Sequence, residues 1–401
     1  MRILLLFFLL FSIRSHAQSP DKWYKGNTHL HTYRSDGSEF PELVMDWYKS
    51  HGYNFVCLSD HDILPYNEIW KPVFENPPWL MVSQKLFDNY LQKYGKDRVQ
   101  FVKDSSGTKV RIKPLQEFKN MFEEKGKFLI VPAEEITAQY KGSPVHLCAM
   151  NLTEVLKPLT GNSKANVLQK NLDQFYALKA RSAQPMLIQI NHPNYQASLE
   201  VKEMEGLTGA RFFEVMNGHF LVNNYGDSLS ISTEELWDKL SIRYLRDGKP
   251  LLFGIGSEDS HDYHEFGPTK ANPGRAWIMV KAASLTAADL VGAMEKGNFY
   301  ATTGVTLKDV RFAKNELTIE TVREAGVTYT IQFWGAKKGG EKGMLLKEAR
   351  GPKAAYKLSE DVSFVRAKII SSKRKENPFK EGDVETAWTQ PVTKNSQSYK
   401  E

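Results

Sequence analysis

The sequence predicts an α/β fold: a parallel sheet or barrel spanning about 280 residues, followed by a small β-sandwich. Three observations carry this. Near-continuous apolar runs of strand length recur from residue 23 to about residue 304, as expected for strands covered on both faces. Amphipathic segments that stop at a glycine lie between them. Beyond residue 305 comparable helices are missing, and β alternation is broken by Gly, Lys and Pro turns.

Strands are expected at 28–31, 55–59, 128–137, 145–151, 186–192, 212–217 and 251–257. Helices are expected at 41–50, 115–125, 233–247 and 287–296, stopping at Gly52, Gly126, Gly248 and Gly297. Ser232-Thr-Glu-Glu235 and Thr286-Ala-Ala-Asp289 read as capping boxes, in which side chains satisfy the free N–H groups of a helix start. Residues 64–127 interrupt the rhythm. They form a long insertion with a hairpin at 99–103 and 109–113 around Asp104-Ser-Ser-Gly107, and a candidate lid over the site. Residues 306–393 are read as the β-sandwich, with strands at 317–322, 328–334, 355–358 and 364–371. Residues 394–401 read as a polar, frayed tail.

The first 17 residues join a basic start (Arg2) to an apolar run of about a dozen residues and a Ser15-His16-Ala17 cleavage signal. That predicts an exported protein, periplasmic or extracellular, beginning near Gln18. The run is too short to span a bilayer comfortably, and no other stretch approaches that length.

The net charge of +6 is unevenly spread. Residues 1–17 carry +2, residues 18–305 carry −2, and residues 306–401 carry +6, with 19 basic against 13 acidic side chains. The basic excess therefore lies outside the α/β region, where it suits solubility or anionic envelope surfaces. No nucleic-acid recognition motif is visible, and Lys373-Arg-Lys375 is a short turn-like run. Two cysteines exclude a disulfide framework and a cysteine-based zinc site. Cys57 and Cys148 lie in apolar strands and are read as buried thiols, with a disulfide open to them in an oxidising compartment.

Histidine is scarce, ten in all, but its placement is ordered. His29 and His31 form an HxH pair at the end of the first strand, and Asp36 follows in Ser35-Asp-Gly37. His61 sits in Ser59-Asp-His-Asp62, Glu134-Glu135 end an apolar strand, and His146 opens the next. His192 ends 187–192, and Asp259 and His261 follow 253–257. Nearly all stand at strand C-terminal ends, which converge on one face of a parallel α/β barrel. Imidazole with carboxylate suits Zn, Mn or Fe. Nine such side chains exceed what one ion needs, so two or three divalent ions are expected.

The order HxHT, SDG, SDHD, PxxEIT, a lone His, NHP, EVxNG and GSEDSH resembles the polymerase-and-histidinol-phosphatase (PHP) metallohydrolases over residues 25–305. It is most similar to a secreted subgroup with a C-terminal β domain. The resemblance implies a distorted (β/α)7 TIM-like barrel and a trinuclear metal site. It implies one ion on His29, His31, Glu135 and Asp259, a second on Glu135, His146 and His192, and a third on Asp36, His61 and His261. Asp259 rather than Glu258 follows from the D-x-H spacing, and Glu135 rather than Glu134 from the family's ligand just before Ile136.

The implied activity is a metal-dependent phosphoesterase, with hydroxide activated by the ions attacking a phosphomonoester or phosphodiester of a small molecule or polymer. Leaving-group protonation falls to a water or to an Asp or His of the ligand sphere, among them Asp36, Asp259 and His261. Arg275 and Lys270 are candidate phosphate contacts, since a guanidinium matches phosphate in a two-pronged way. Glu214, Asn217 and His219 are expected to line the pocket, Glu214 alternatively bracing a ligand. Asp60, Asp62 and Asp262 are candidates for orienting ligand histidines; His51 and His264 read as surface residues. Two other readings are a carboxylic or carbamate ester or amide hydrolase on the same metals, and a non-catalytic envelope-polymer-binding protein.

Overall fold

The computed structural model describes residues 21–77 and 81–400. The expected export signal at 1–17 lies outside the described residues. Thirteen strands form one hydrogen-bonded order. It runs Phe253–Ser257, Phe212–Asn217, Leu187–Ile190, Leu147–Met150, Leu129–Ile136, Phe55–Leu58 and Lys22–Asn27. It continues through Trp277–Ala282, Phe299–Thr302, Val384–Thr389, Val362–Arg374 and Tyr329–Lys337 to Met344–Arg350.

The sheet is mixed, not parallel throughout. Lys22–Asn27, Phe55–Leu58 and Leu129–Ile136 run parallel, as do Leu187–Ile190, Phe212–Asn217 and Phe253–Ser257. Leu147–Met150 is antiparallel to both of its neighbours. A parallel return needs a crossover of a dozen residues or more. The short link from Ile136 to Leu147 holds only the small hairpin Gln139–Tyr140 and Ser143–Pro144, so the chain turns straight back.

The first strand differs from expectation. It spans Lys22–Asn27 and stops before the HxH pair. Residues 29–31 pair elsewhere: Asp259 N donates to His29 O (2.9 Å), and His31 N donates to Ser260 O (3.0 Å). A parallel bridge between Leu30 and Ser260 thus brings the edge strand Phe253–Ser257 back against the end of the first strand.

Helices Pro41–Ser50, Leu115–Phe122, Thr233–Arg246 and Ala287–Glu295 lie close to their expected places. Ser232 and Thr286 accept the amides of Glu235 and Asp289, both at 3.1 Å. Three further helices escaped the sequence reading: Gln84–Tyr94, Lys164–Arg181 and Val201–Met204. The long one buries Val167, Leu168, Leu172, Phe175 and Leu178 on one face. Its stripe is masked by Asn171, which is fully buried and bonded to the backbone of Leu159. No described helix is long and apolar enough to cross a membrane.

The insertion builds its own four-stranded sheet from Val82–Ser83, Ile69–Phe74, Gly107–Ile112 and Phe101–Asp104. The hairpin expected around Asp104-Ser-Ser-Gly107 is present. Phe40 stacks on Tyr90 in its core, ring centroids 3.9 Å apart.

The C-terminal strands differ from a free-standing unit. Val384–Thr389 pairs with Phe299–Thr302, so the main sheet continues across residue 305. A three-stranded sheet, Leu307–Ala313, Glu316–Thr321 and Lys353–Lys357, shares one core with Tyr329–Lys337 and Val362–Arg374. Arg366 grips Asp238 of helix Thr233–Arg246 with two bonds (2.8 and 3.0 Å), both side chains buried.

The tail is also not frayed. Tyr399 is buried, and its N donates to Asn298 Oδ1 (2.7 Å). Its O accepts Phe312 N (2.9 Å). Its hydroxyl accepts Gln390 N (2.8 Å) and donates to Phe299 O. One aromatic residue with a full set of partners fixes an otherwise polar segment.

Candidate metal centre

The ligand-type side chains meet at one end of the mixed sheet. His192 follows Leu187–Ile190, Asp259 follows Phe253–Ser257, and His61 follows Phe55–Leu58. His146 precedes Leu147–Met150, and because that strand is reversed, its start lies with its neighbours' ends.

Three groups of ligand atoms converge: His29, His31 and Glu135; Glu135, His146 and His192; and His31, Asp36, His61 and His261. In the first, His29 Nε2 lies 3.1 Å from His31 Nε2, 3.3 Å from Glu135 Oε2 and 3.2 Å from Asp259 Oδ1. His31 Nε2 lies 3.3 Å from Glu135 Oε2 and 3.2 Å from Asp259 Oδ1. A tetrahedral ion with ligands at about 2.0 Å has edges of about 3.3 Å. Glu135 Oε1 faces His146 Nδ1 (3.1 Å) and His192 Nε2 (3.2 Å). Asp36 Oδ2 faces His61 Nε2 and His261 Nε2, each at 3.3 Å.

The protonation pattern favours a cation over mutual hydrogen bonds. His29 Nδ1 donates to Glu214 Oε1 (2.7 Å), which leaves the Nε2 of a neutral ring as a bare lone pair. That lone pair faces another imidazole nitrogen and two carboxylate oxygens. Burial opposes charge at His29 and His31, yet the surrounding carboxylates raise both well above the ordinary histidine range, so positive charge is favoured at these nitrogens, carried either by a proton or by an ion that takes the proton's place on the Nε2 lone pair. Burial likewise opposes charge on Glu135, Asp259 and Asp36, and the neighbouring histidines hold all three below the usual carboxylate range. The cluster demands positive charge, and divalent ions on these nine side chains would supply it. Backbone strain accompanies this: Asp259 has φ 48° and His192 φ 25°.

Both adjacent-acid questions are answered by facing. Glu134 points away, accepting Leu156 N at 2.6 Å, and its second oxygen has no partner. Burial pushes it up to about 8. Glu258 also points away, accepting Tyr48 OH (2.6 Å), Gly274 N (2.8 Å) and the hydroxyl of Tyr53. Glu135 and Asp259 are the members that face the centre.

Two expected substrate contacts, Arg275 and Asn217, are corrected, and Glu214 takes its alternative role as a brace. Arg275 is fully buried, and its guanidinium donates to Gly218 O (2.9 Å), Lys270 O (2.6 Å) and Gly267 O (2.6 Å). It pins a loop and does not line the cavity over the centre; its remaining Nε–H is buried without a partner. Asn217 is buried and donates to Glu214 Oε2 (2.8 Å) and Asp259 Oδ2 (3.1 Å). Glu214 is buried too, and braces His29 and the backbone of His192.

His219 does line the cavity, and burial lowers it to about 4, so its ring is neutral. Lys270 lines it as well, paired with Glu265 at 2.9 Å. Asp60 holds the loop after the HxH pair through Thr32 N (2.8 Å) and Ser35 N (3.1 Å). Asp62 accepts Thr137 N, and Asp262 accepts Ala271 N, both at 2.8 Å. These three acids therefore orient loops instead of imidazoles. His51 is exposed beside Trp47, and His264, partly exposed, pairs with Glu39 at 2.9 Å. Cys57 and Cys148 are buried and free.

The sequence reading missed Asn191 and Thr137. Asn191 Nδ2 donates to Glu135 Oε1 (2.8 Å), and Thr137 Oγ1 meets His61 Nδ1 (2.7 Å). Gln189 and Asn191 alternate along an apolar strand, a period-two signal for a polar inner face.

A cavity of about 700 Å³ opens over the centre. Its floor is ligand-type side chains, and its walls include Tyr33, Tyr195, Phe220 and Leu221. Pro77, Met81 and Leu86 of the insertion also line it, so that segment borders the mouth.

No family model matches the chain, and no curated protein matches it. Among solved structures it is similar to a two-domain protein from Bacteroides vulgatus containing a predicted PHP-like metal-dependent phosphoesterase. The identity is 12%, the TM-score 0.39, and the match covers 92% of this chain and 95% of that one. It is similar to a proposed metal-dependent phosphoesterase from Bifidobacterium adolescentis, at 12% identity and TM-score 0.29, over 62% of this chain and 89% of that one. An amidohydrolase from Chromobacterium violaceum matches at 12% identity and TM-score 0.24, over 62% of this chain and 93% of that one.

Proposed function

We propose that this chain is an exported, metal-dependent phosphoesterase of the PHP type, with a distorted (β/α)7 barrel at 18–305 and a β-sandwich at 306–393. The observation that carries the reading is the convergence of His29, His31, Glu135 and Asp259, with ligand atoms 3.1–3.3 Å apart and the lone pair of His29 aimed inward. His146 and His192, and Asp36, His61 and His261, complete a set for two to three ions of Zn, Mn or Fe type. When bound, such ions activate water and offset charge on the phosphoryl oxygens.

The chain's own residues do the rest. Glu214 fixes His29, and Asn191 fixes Glu135. A water gives up a proton as its oxygen bonds to phosphorus, the ester P–O bond breaks, and the ester oxygen takes up a proton. Asp36 is held ionised by His31 and His261 and carries no proton to give, so delivery falls to a water or to a cavity histidine such as His261. The apolar leader at 1–17 supports export to the periplasm or beyond.

The test is metal analysis of purified protein, with rates on p-nitrophenyl phosphate, bis-p-nitrophenyl phosphate and p-nitrophenyl acetate in Mn, Zn or Fe. The expected result is two or three ions per chain and phosphoester cleavage that a His29→Ala/His31→Ala double variant abolishes. Ester cleavage without phosphoester cleavage, or well under two ions per chain, would overturn the reading.

A further inference from the structure

The cavity over the metal centre joins two unlike halves. Its floor is a dense set of imidazoles and carboxylates that, charged with ions, seats one phosphoryl group. Its upper walls carry an apolar and aromatic set, Tyr33, Met81, Leu86, Tyr195, Phe220 and Leu221, beside the polar Ser83 and Thr269. Leu221 is 53% exposed although it borders a site, so its side chain is available to a ligand. Scattered surface leucines need no explanation, but a set gathered around one polar floor does.

The cations tell the same story. Among the described residues, Lys270 is the one lysine or arginine lining this cavity, and Glu265 pairs it at 2.9 Å. The two nearby guanidiniums turn to backbone carbonyls, and neither lines the cavity, although the Nε–H of each is buried without a partner. Arg275 holds Gly218, Lys270 and Gly267. Arg34 holds Lys113 O (3.1 Å) and Asn67 O (2.6 Å). A second phosphate, as in a nucleotide or sugar bisphosphate, would find a single surface lysine and no guanidinium in the cavity wall.

We propose that the substrate is a phosphomonoester with a single phosphate and a bulky apolar alcohol, whose carbon skeleton packs on the Met81, Leu86, Phe220 and Leu221 wall. This rests on the phosphoesterase reading and narrows it. A cavity of about 700 Å³ has room for a ring-sized group beyond the phosphate. Hydrolysis balances as before: water oxygen to phosphorus, P–O to the alcohol broken, and the alcohol oxygen protonated.

The test compares alkyl phosphates, whose alcohols have similar acidity, so that reactivity does not masquerade as binding. On metal-loaded full-length protein, kcat/KM for 2-phenylethyl phosphate should exceed that for ethyl phosphate by about 30-fold, mostly through KM. A Met81→Ser/Leu221→Ser variant should bring that ratio toward one. Equal rates on the two alkyl phosphates, or a preference for glycerol phosphate, a sugar bisphosphate or a nucleotide, would overturn the inference and leave the phosphoesterase reading standing. Binding of the matching phosphonates, measured by calorimetry, separates the two failures. If no phosphoester is cleaved but 2-phenylethylphosphonate still binds about 30-fold tighter than ethylphosphonate, the apolar seat stands and the hydrolase reading falls. Equal phosphonate affinities would sink the seat itself.

Discussion

Glu214 Oε1 accepts the Nδ1 proton of His29 at 2.7 Å, with both side chains fully buried. The same carboxylate accepts Ser257 Oγ (2.6 Å), Gln189 Nε2 (3.0 Å), Asn217 Nδ2 (2.8 Å) and His192 N (2.7 Å). Every partner is a donor, so Glu214 must be an acceptor at both oxygens. Glu214→Gln would aim an N–H₂ group at other donors and loosen His29. Metal affinity should fall about 10–100-fold, read by chelator competition. An unchanged affinity would show that this brace does not matter.

Glu134 makes a separate prediction for pH. Its folded value is raised from 4.5 to about 8 by burial. Between those limits the folded chain holds a proton that the unfolded chain has lost. Its contribution to stability is therefore whole below about pH 4.5 and is lost as pH climbs toward 8. Gln at this position keeps the acceptor for Leu156 N and removes the titration. Glu134→Gln should gain on the parent as pH rises from 5 to 8, by up to a few kcal/mol. Parallel melting curves for the two proteins across that range would refute it.

Tyr399→Ala should destabilise the fold by about 3–5 kcal/mol, because it removes a buried aromatic ring and strands Gln390 N. Tyr399→Phe should cost about 1–2 kcal/mol. Urea melts of both variants distinguish this from a loose tail, for which neither change would register.

Arg275→Lys keeps the charge but loses the fork that spans Gly218, Lys270 and Gly267. The expected outcome is a loss of about 1–3 kcal/mol in stability. A raised KM with an unchanged melting temperature would instead restore Arg275 as a substrate contact.

The cluster of ligand-type side chains was legible because histidine is rare and most of its members stand at or near a strand end. The choice within Glu134-Glu135 and Glu258-Asp259 was not open to residue pattern alone. Period two says that such neighbours face opposite sides, but not which side holds the site. Arg275 misled because a guanidinium serves a phosphate and a ring of carbonyls equally well. Strand direction was hidden at Leu147–Met150, where linker length decided and apolar runs look alike either way. Asn171 hid the longest helix by placing an amide in its apolar stripe, and Tyr399 showed that one residue can anchor a tail whose composition reads as solvent-exposed.

The unbroken run of strands from Phe253–Ser257 to Met344–Arg350 has a thermodynamic consequence. Cutting it at residue 305 would leave Phe299–Thr302 with a bare edge and Tyr300 without the neighbours it packs on. Neither piece would be a smaller version of the whole. The chain should melt in one cooperative step, and ions gripped at one end would raise the melting point of strands that never touch them. The last hundred residues are then the far bank of a single span, and load applied on one side is borne on both.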